Sequence, residues 1–255
     1  MNISERIAKH ERIVLQFSGG KDSLATLHLL RHWWGRIAVV WCNAGDEFPE
    51  TLEVIERVKQ LPINFHEVRP YLAQPASVAL HGYPSDIVPV KNERHRPYLT
   101  GVPLPGGVEI QDYMACCNRL LFEPLQQFAR EYEATMIIRG QRFDEPMVGP
   151  VRDGEIGPDG VEYFLPLEDW TEEDVFGFLK HRRVELPAYY REVAHSLDCR
   201  TCTAFLDQSL DKLEYLKKNH PDKWRVVKYR LELIGAAVSK EKQHLDAALD
   251  LVRSP

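Results

Sequence analysis

Ser18-Gly19-Gly20-Lys21-Asp22-Ser23 decides how this chain folds. It follows an apolar run, Ile13-Val14-Leu15-Gln16-Phe17, and opens a helical pattern from Leu24 to Leu30. Strand, glycine turn and helix start, in that order, make an anion site. The glycines let the backbone approach a phosphate closely, and the unpaired N–H groups of the first helical turn point at it. The helix dipole adds partial positive charge and Lys21 a full one. The glycine spacing and the Gly-Lys-Ser/Thr ending of Walker A are absent. An ordinary strand-to-helix turn is the plain alternative. On either reading Lys21 and Asp22 are expected on an exposed turn.

Working outward, strand one is read at 12–17 and helix one at about 22–33. Ile37-Ala38-Val39-Val40-Trp41 reads as a second buried strand, Pro49 starts a helix to about Gln60, and Ile63-Asn64-Phe65-His66-Glu67-Val68 reads as a third strand. This β-α-β-α-β rhythm implies a parallel sheet with right-handed crossovers. Ligands then bind beyond the carboxyl ends of the strands, where the 18–23 and 43–47 loops lie. Residues 70–112 break the rhythm with Pro84, Pro89, Pro97, Pro103, Pro105, Gly101, Gly106 and Gly107. Such a stretch is either a functional lid or a surface excursion. Residues 113–132 read as a helix despite Pro124, Thr135-Met136-Ile137-Ile138 as a strand, and 146–161 as a second Pro/Gly loop. Thr171 caps a helix, with Asp174 completing the cap and Val175, Phe176 and Leu179 as the buried stripe. Residues 205–250 are helical in pattern. The expected fold is α/β: a Rossmann-like parallel sheet flanked by helices over 1–204, then a helical extension over 205–255.

The 255 residues, 44% hydrophobic, suffice for one large α/β domain with an appendage. A net charge of −6 leaves no global basic field to draw the chain to nucleic acid or membrane. No apolar run reaches membrane-spanning length, and residues 1–6 lack the apolar core of a signal peptide. A cytoplasmic protein with no membrane partner is expected, its oligomeric state open and a homo-oligomer allowed. The five cysteines are then expected as metal ligands or reduced thiols.

The 18–23 stretch resembles the PP-loop of the adenine-nucleotide α-hydrolase superfamily, which includes ATP pyrophosphatases and the phosphoadenosine-phosphosulfate (PAPS) reductases. Further segments resemble the reductase branch. Asn43-Ala44-Gly45-Asp46-Glu47-Phe48-Pro49-Glu50-Thr51 is similar to its Asn-Thr-Gly…Phe-Pro-Glu-Thr segment, and Arg139-Gly140-Gln141-Arg142-Phe143-Asp144-Glu145 to its Gly-x-Arg segment. Leu165-Pro166-Leu167-Glu168-Asp169-Trp170-Thr171 with Asp174-Val175 resembles Pro-Leu-x-x-Trp-Thr-x-x-Asp-Val, and Cys199-Arg200-Thr201-Cys202-Thr203 resembles Cys-x-x-Cys-Thr. The matches run in order over roughly residues 12 to 205.

Cys116 and Cys117 are adjacent, and Cys199 and Cys202 sit on one side of a single turn. Four thiolates can hold a [4Fe–4S] cluster or a Zn²⁺ ion; unligated buried thiols are the third option. The pattern is similar to the iron–sulfur-dependent adenylyl-sulfate (APS) reductases, which implies the cluster. Four cysteine ligands leave no iron open, so a filled cluster would act through its electrostatics or as a brace. Cys42, at the end of strand two, is a reactive thiol or, better, a small core residue.

The resemblance departs from the reductases at one point. They finish on a nucleophilic cysteine in a Glu-Cys-Gly-type motif, whereas no cysteine follows Cys202 here. Sulfonucleotide reduction with a thiol of its own is therefore not expected. The PP-loop is intact, similar to members that cleave ATP between the α and β phosphates: sulfate adenylyltransferase small subunits, transfer-RNA thiolases and the DNA phosphorothioation sulfur-transfer protein. The resemblance thus implies an enzyme that uses ATP and Mg²⁺ to adenylate an acceptor in sulfur metabolism or thiolation. Ser18, Gly19, Gly20 and Ser23 would cradle the β and γ phosphates, Lys21 neutralise them and Asp22 help hold Mg²⁺. Asn43, Gly45 and Asp46, or Glu47, would line the ribose or a second metal, and Gly140 and Arg142 the phosphates. For each charged residue a plain surface salt bridge is the alternative. Two other functions stay open: a PAPS or APS reductase whose thiol comes from another protein or from Cys42, and a non-catalytic nucleotide-binding subunit.

The acceptor is unidentified, as is any sulfur donor or thiol protein. A nucleic acid is one option, because residues 211–230 hold seven basic side chains against three acidic ones, with Trp224 and Tyr229 interleaved. A solvated helix face is the simpler reading. His28 and His32, four apart on helix one, share a face but lack a third metal ligand.

Overall fold

The structure is a computed structural model and describes residues 3–87, 110–145, 149–193, 195–197, 199–206 and 210–253. In chain order the first elements are α1 (Ile3–Ala8), β1 (Ile13–Phe17), α2 (Lys21–Leu29), β2 (Ile37–Cys42), α3 (Pro49–Lys59), β3 (Asn64–Val68), α4 (Gln74–His81) and β4 (Tyr83–Ser85). There follow β5 (Ile110–Asp112), α5 (Tyr113–Cys117), α6 (Glu123–Glu131), β6 (Met136–Ile138), β7 (Glu162–Phe164), α7 (Glu172–Arg182), α8 (Leu210–Asn219) and α9 (Pro221–Arg253). The chain packs as two compact units, Met1–Pro70 with Leu121–Leu197, and Tyr71–Leu120 with Asp198–Pro255. This grouping differs from the expected cut after residue 204: residues 71–120 belong with the C-terminal helices.

The first unit holds a parallel sheet in the order β3-β2-β1-β6-β7. Its central strands are apolar on both faces, as a sheet covered on both sides requires. Ile13, Leu15 and Phe17 of β1 join Val39, Trp41 and Ile138 in one core, with Leu24 and Leu27 of α2, Ile55 of α3 and Val175 of α7. Val14, Val40 and Ile137 face the other way, toward Ala129 of α6. From β1 the chain builds outward through β2 to β3, then returns to add β6 and β7 on the opposite flank. The strand order therefore reverses between β1 and β6, the switch point where such sheets bind ligands.

Two helices depart from the sequence reading. Helix one stops at Leu29 and continues as a 3₁₀ stretch, Arg31–Arg36. Trp34 in that stretch donates its indole N–H to the Leu27 carbonyl at 2.8 Å, satisfying one of the carbonyls that a helix end leaves open. His28 and His32 thus fall in different elements; each packs edge-on against a tryptophan, Trp34 and Trp33 respectively. The 113–132 helix is broken into α5, a π-helical stretch Asn118–Phe122, and α6, with Pro124 in the first turn of α6. In that first turn the N–H that proline lacks would have had no intrahelical partner, so the break accommodates it. The Thr171–Asp174 cap forms reciprocally: Asp174 N–H donates to Thr171 Oγ1 at 3.2 Å, and Thr171 N–H to Asp174 Oδ2 at 2.9 Å. Val175 and Leu179 are buried, but Phe176 is only half-buried.

In the second unit β4 pairs in parallel with β5. Both strands and α4 lie within the stretch read as irregular. The core of that stretch, 88–109, lies outside the described residues, as do 146–148 of the second loop. Ile234 and Ala237 of α9 pack with Ile110 of β5. Among the described residues no helix is long and apolar enough to cross a membrane.

Candidate functional site

The first unit places the 18–23 loop at the switch point. Gly19 has φ +84°, a conformation that L side chains adopt at a cost. A Cβ there would also meet Thr51 Cγ2 at 3.1 Å. Gly20 caps α2 with no side-chain hydrogen bond. Gly140, in the loop after β6, lies so close to the start of α2 that a Cβ would stand 2.8 Å from the backbone carbon and oxygen of Asp22. The sheet order therefore brings the 18–23 and 140–142 loops into direct contact. Serine hydroxyls knit the first loop: Gly19 N–H donates to Ser23 Oγ at 3.1 Å, Gly20 N–H to Ser18 Oγ at 3.3 Å, and Ser23 Oγ to the Gly20 carbonyl at 2.9 Å.

Lys21 and Asp22 are not on an exposed turn: Lys21 is 3% exposed and Asp22 is half-buried, and Arg142 beside them is also buried. Lys21 Nζ lies 3.1 Å from Asp22 Oδ2 and 3.1 Å from Glu172 Oε1 of α7, beside the Phe176 and Tyr190 rings. Arg142 Nε donates to Asp22 Oδ1 at 2.7 Å, and its Nη1 to Asp144 Oδ2 at 3.0 Å. Asp22 thus bridges the two cations, and the carboxylates of Asp22, Asp144 and Glu172 compensate their charge. Glu145 stands beside this network. Burial, and then the charge of Asp22, push its carboxyl up to about 7, while Arg142 and Lys21 pull it back.

One contact comes from outside the loops. Lys21 N–H, in the first turn of α2, donates to the Tyr190 hydroxyl at 3.0 Å, and that hydroxyl shares a hydrogen bond of 2.6 Å with Ser196 Oγ. A Cβ on Gly20 would meet Ser196 Oγ at 2.5 Å. The hydroxyl pair therefore occupies the space in front of the N–H group that the anion reading assigns to phosphate. Burial holds the Tyr190 phenol well above its ordinary range, so it stays protonated. Tyr190, Ser196, Glu145 and Glu172 are the residues that sequence reasoning missed. Glu145 sat beside Arg142 in a quoted motif; no local pattern marks the other three.

The 43–47 loop follows β2. Gly45 has φ +87°, and the Glu47 carboxylate closes the loop by accepting from Ala44 N–H at 2.5 Å and Gly45 N–H at 3.0 Å. Burial still pushes the Glu47 carboxyl upward. Asn43 accepts from Gly45 N–H at 3.0 Å and donates to Glu67 Oε1 at 2.9 Å; Asp46 is buried. Glu47 and Asn43 are thus engaged in holding the loop. Cys42 is buried, its thiol pushed up to about 12 by burial and then by the charge of Glu47. That is the core residue of the simpler reading, not an activated nucleophile.

The other four cysteines all lie in the second unit. Cys116 and Cys117 end α5, whose start is capped by Asp112 Oδ1 accepting from Ala115 N–H at 2.9 Å. Cys202 N–H donates to the Cys199 carbonyl at 3.0 Å, closing a turn. Thr203 Oγ1 ties that turn to the Pro84 carbonyl of β4 at 2.7 Å, and Phe205 N–H donates to Asp86 Oδ2 at 2.9 Å. β5 leads into one cysteine pair and β4 carries the other, so the parallel β4–β5 pair unites positions roughly eighty residues apart. Burial, then the charge of Cys202, push the Cys116 thiol up to about 12, while Arg119 and Arg230 pull it down. None of the five cysteines is in a disulfide. Among the described residues no three His, Cys, Asp or Glu side chains converge closely enough to hold a metal ion. The four-thiol set therefore shares a unit without closing on a point in this structure. Its surroundings suit an anionic group: among the described residues Gln74 Nε2 and Arg119 Nε are buried donors without a hydrogen-bond partner.

A family model described as the phosphoadenosine phosphosulfate reductase domain matches residues 12–205. The chain is 24% identical to the adenosine 5'-phosphosulfate reductase of Allochromatium vinosum over 79% of its length and 72% of the relative's. It is 27% identical to sulfate adenylyltransferase subunit 2 of Streptomyces lavendulae, over 73% of its length and 58% of the relative's. It spans only about half the length of two further relatives from Methanocaldococcus jannaschii. The phosphoadenylyl-sulfate reductase of Candida auris, solved as a phosphate complex, shares the fold with a TM-score of 0.53 at 13% identity, covering 74% of this chain and 81% of that one.

Proposed function

The chain belongs to the phosphoadenosine phosphosulfate reductase family, and from that premise we propose that it is a PP-loop enzyme of sulfur metabolism that cleaves ATP to AMP and pyrophosphate and adenylates an acceptor. The observation that carries this reading is the pairing of a glycine cradle with two buried cations. Gly19, Gly20 and Gly140 let neighbouring atoms approach the start of α2 closely, and Lys21 and Arg142 meet there at Asp22. A fixed cradle of N–H groups and cations stabilises charge that grows on a leaving group. An acceptor oxygen attacks the α-phosphorus, the α–β bridging bond breaks, and pyrophosphate leaves toward Lys21 and Arg142. The sulfate adenylyltransferase relative supports adenylyl transfer at a loop of this kind. Mg²⁺, when bound, would neutralise phosphate oxygens, with Asp22 as its carboxylate ligand. Cys116, Cys117, Cys199 and Cys202 would hold an iron–sulfur cluster that braces the second unit and shapes its field.

The test is an anaerobic assay of AMP and pyrophosphate from ATP across candidate acceptors, with Lys21→Ala and Asp22→Ala as variants. Both should abolish turnover. Because Lys21 is buried, circular dichroism must first show each variant folded. Turnover that survives in folded Lys21→Ala would overturn the reading. A stoichiometric burst of sulfite from PAPS or APS, with no AMP from ATP, would replace it with a reductase.

A further inference from the structure

Lys212 and Arg230 belong to the basic run that the sequence placed on a solvated helix face. In the second unit they turn inward instead, at 2% and 8% exposed. Lys212, from α8, donates its Nζ to the Cys199 carbonyl at 3.0 Å. Arg230, from α9, donates Nη1 to the Thr201 carbonyl at 2.6 Å and to Thr201 Oγ1 at 3.0 Å, with its guanidinium 5.3 Å from the centre of the Tyr83 ring. Two helices thus each place a cation on the backbone of the 199–202 turn.

A carbonyl dipole is thin compensation for a buried ammonium, which ordinarily requires an anion. Among the described residues Lys212 forms no ion pair with a carboxylate; its Nζ bonds the Cys199 carbonyl. Gln74 is 1% exposed and accepts from Thr201 Oγ1 at 3.4 Å, while its Nε2 donor has no partner among the described residues. Arg119, two residues past Cys117, likewise leaves Nε without one. Cations and orphaned donors therefore collect where the chain places its four remaining sulfurs. Both cations also lie beyond residues 12–205, the part that the family model matches.

We propose that Lys212 and Arg230 are positioning residues of the cysteine centre, holding the 199–202 turn and offsetting the negative charge of an iron–sulfur cluster bound by Cys116, Cys117, Cys199 and Cys202. This rests on the reading of those cysteines as ligands. A thiolate-ligated cluster is anionic, so a fixed positive charge beside it strengthens retention and makes reduction easier. Gln74, whose Oε1 accepts from Thr201 Oγ1, adds a neutral donor at Nε2.

Lys212→Gln removes the charge but keeps a donor for the Cys199 carbonyl; Lys212→Arg restores the charge. Each full-length protein is loaded anaerobically with ferrous iron and sulfide. The rate of cluster loss to a chelator is read from the visible absorbance, and the reduction potential from a dye-mediated titration. The Gln variant should lose its cluster at least about tenfold faster, the difference between a charge-assisted hydrogen bond and a neutral one. Its potential should move negative, and the Arg variant should return both toward wild type. Equal retention and equal potential in wild type and Lys212→Gln would overturn the proposal. If Lys212→Gln fails to fold, Arg230→Gln is read by the same two measurements. If wild type takes up no iron and sulfide, the cluster reading fails, and Cd²⁺ binding, followed by its thiolate charge-transfer band, decides separately. Weaker Cd²⁺ binding in the Gln variant than in wild type supports the counter-charge role; equal binding, or none in wild type, overturns it.

Discussion

Gly140→Ala probes the contact on which the whole site depends. Gly140 needs no unusual backbone conformation, so space alone decides the outcome. The added Cβ would stand 2.8 Å from the Asp22 backbone carbon and oxygen and 3.0 Å from Ser23 N, all main-chain atoms that cannot swing aside. Ordinary carbon contacts lie at about 3.5–4.0 Å, so the loop after β6 and the start of α2 must separate by roughly 1 Å. Overpacking of this kind costs about 1–3 kcal/mol. For a chain of this size each kcal/mol lowers Tm by roughly 2–4 °C. A misplacement near 1 Å of catalytic groups costs on the order of 100-fold in rate. Gly177→Ala is the control: it lies in α7, and a Cβ there meets nothing within 4 Å. It should stabilise by about 0.5–1 kcal/mol, as alanine does in a helix. Melting curves and ATP turnover on both variants test the geometry. A Gly140→Ala protein as stable and as active as Gly177→Ala would refute the close approach, and with it the placement of Arg142 against the loop.

Two further predictions concern the same site. Glu145 has a carboxyl raised from 4.5 to about 7 in the folded chain, so the fold binds its proton more tightly than the unfolded chain does. Its contribution to stability is fully present below pH 4.5 and is lost as pH rises through about 7. Glu145→Gln should flatten the fall in stability across that window in denaturant titrations; an unchanged pH profile would mean that the carboxyl titrates normally. Tyr190→Phe removes the hydroxyl that accepts from Lys21 N–H, which frees that N–H for phosphate. Pyrophosphate should then bind the variant more tightly in calorimetry, whereas weaker binding would make the hydroxyl a ligand rather than an occupant.

The sequence by itself determined the sheet and the loop. Ile13–Phe17, interrupted only by Gln16, and Ile37–Cys42 are apolar runs because both faces of their strands are buried, so composition and length identify them. Gly19 was legible for the same kind of local reason: a strand that turns at once into a helix needs its positive φ. The strands β4, β5 and β7 were not legible, since three residues of mixed polarity carry no period, whereas the three of β6 are all apolar. The tertiary structure decided which charges are internal. Lys21, Arg142, Lys212 and Arg230 read as surface cations because a lysine or arginine looks alike in sequence whether its head meets water or a buried partner. Asp22 and Glu172, which share Lys21, are far apart in the chain, and so are Tyr190 and the N–H it occupies. The placement of the two cysteine pairs in one unit rests on β4 pairing with β5, which are separated by residues 86–109. Periodicity reports what each residue does to its own element; it carries no information on which distant element supplies the opposite charge.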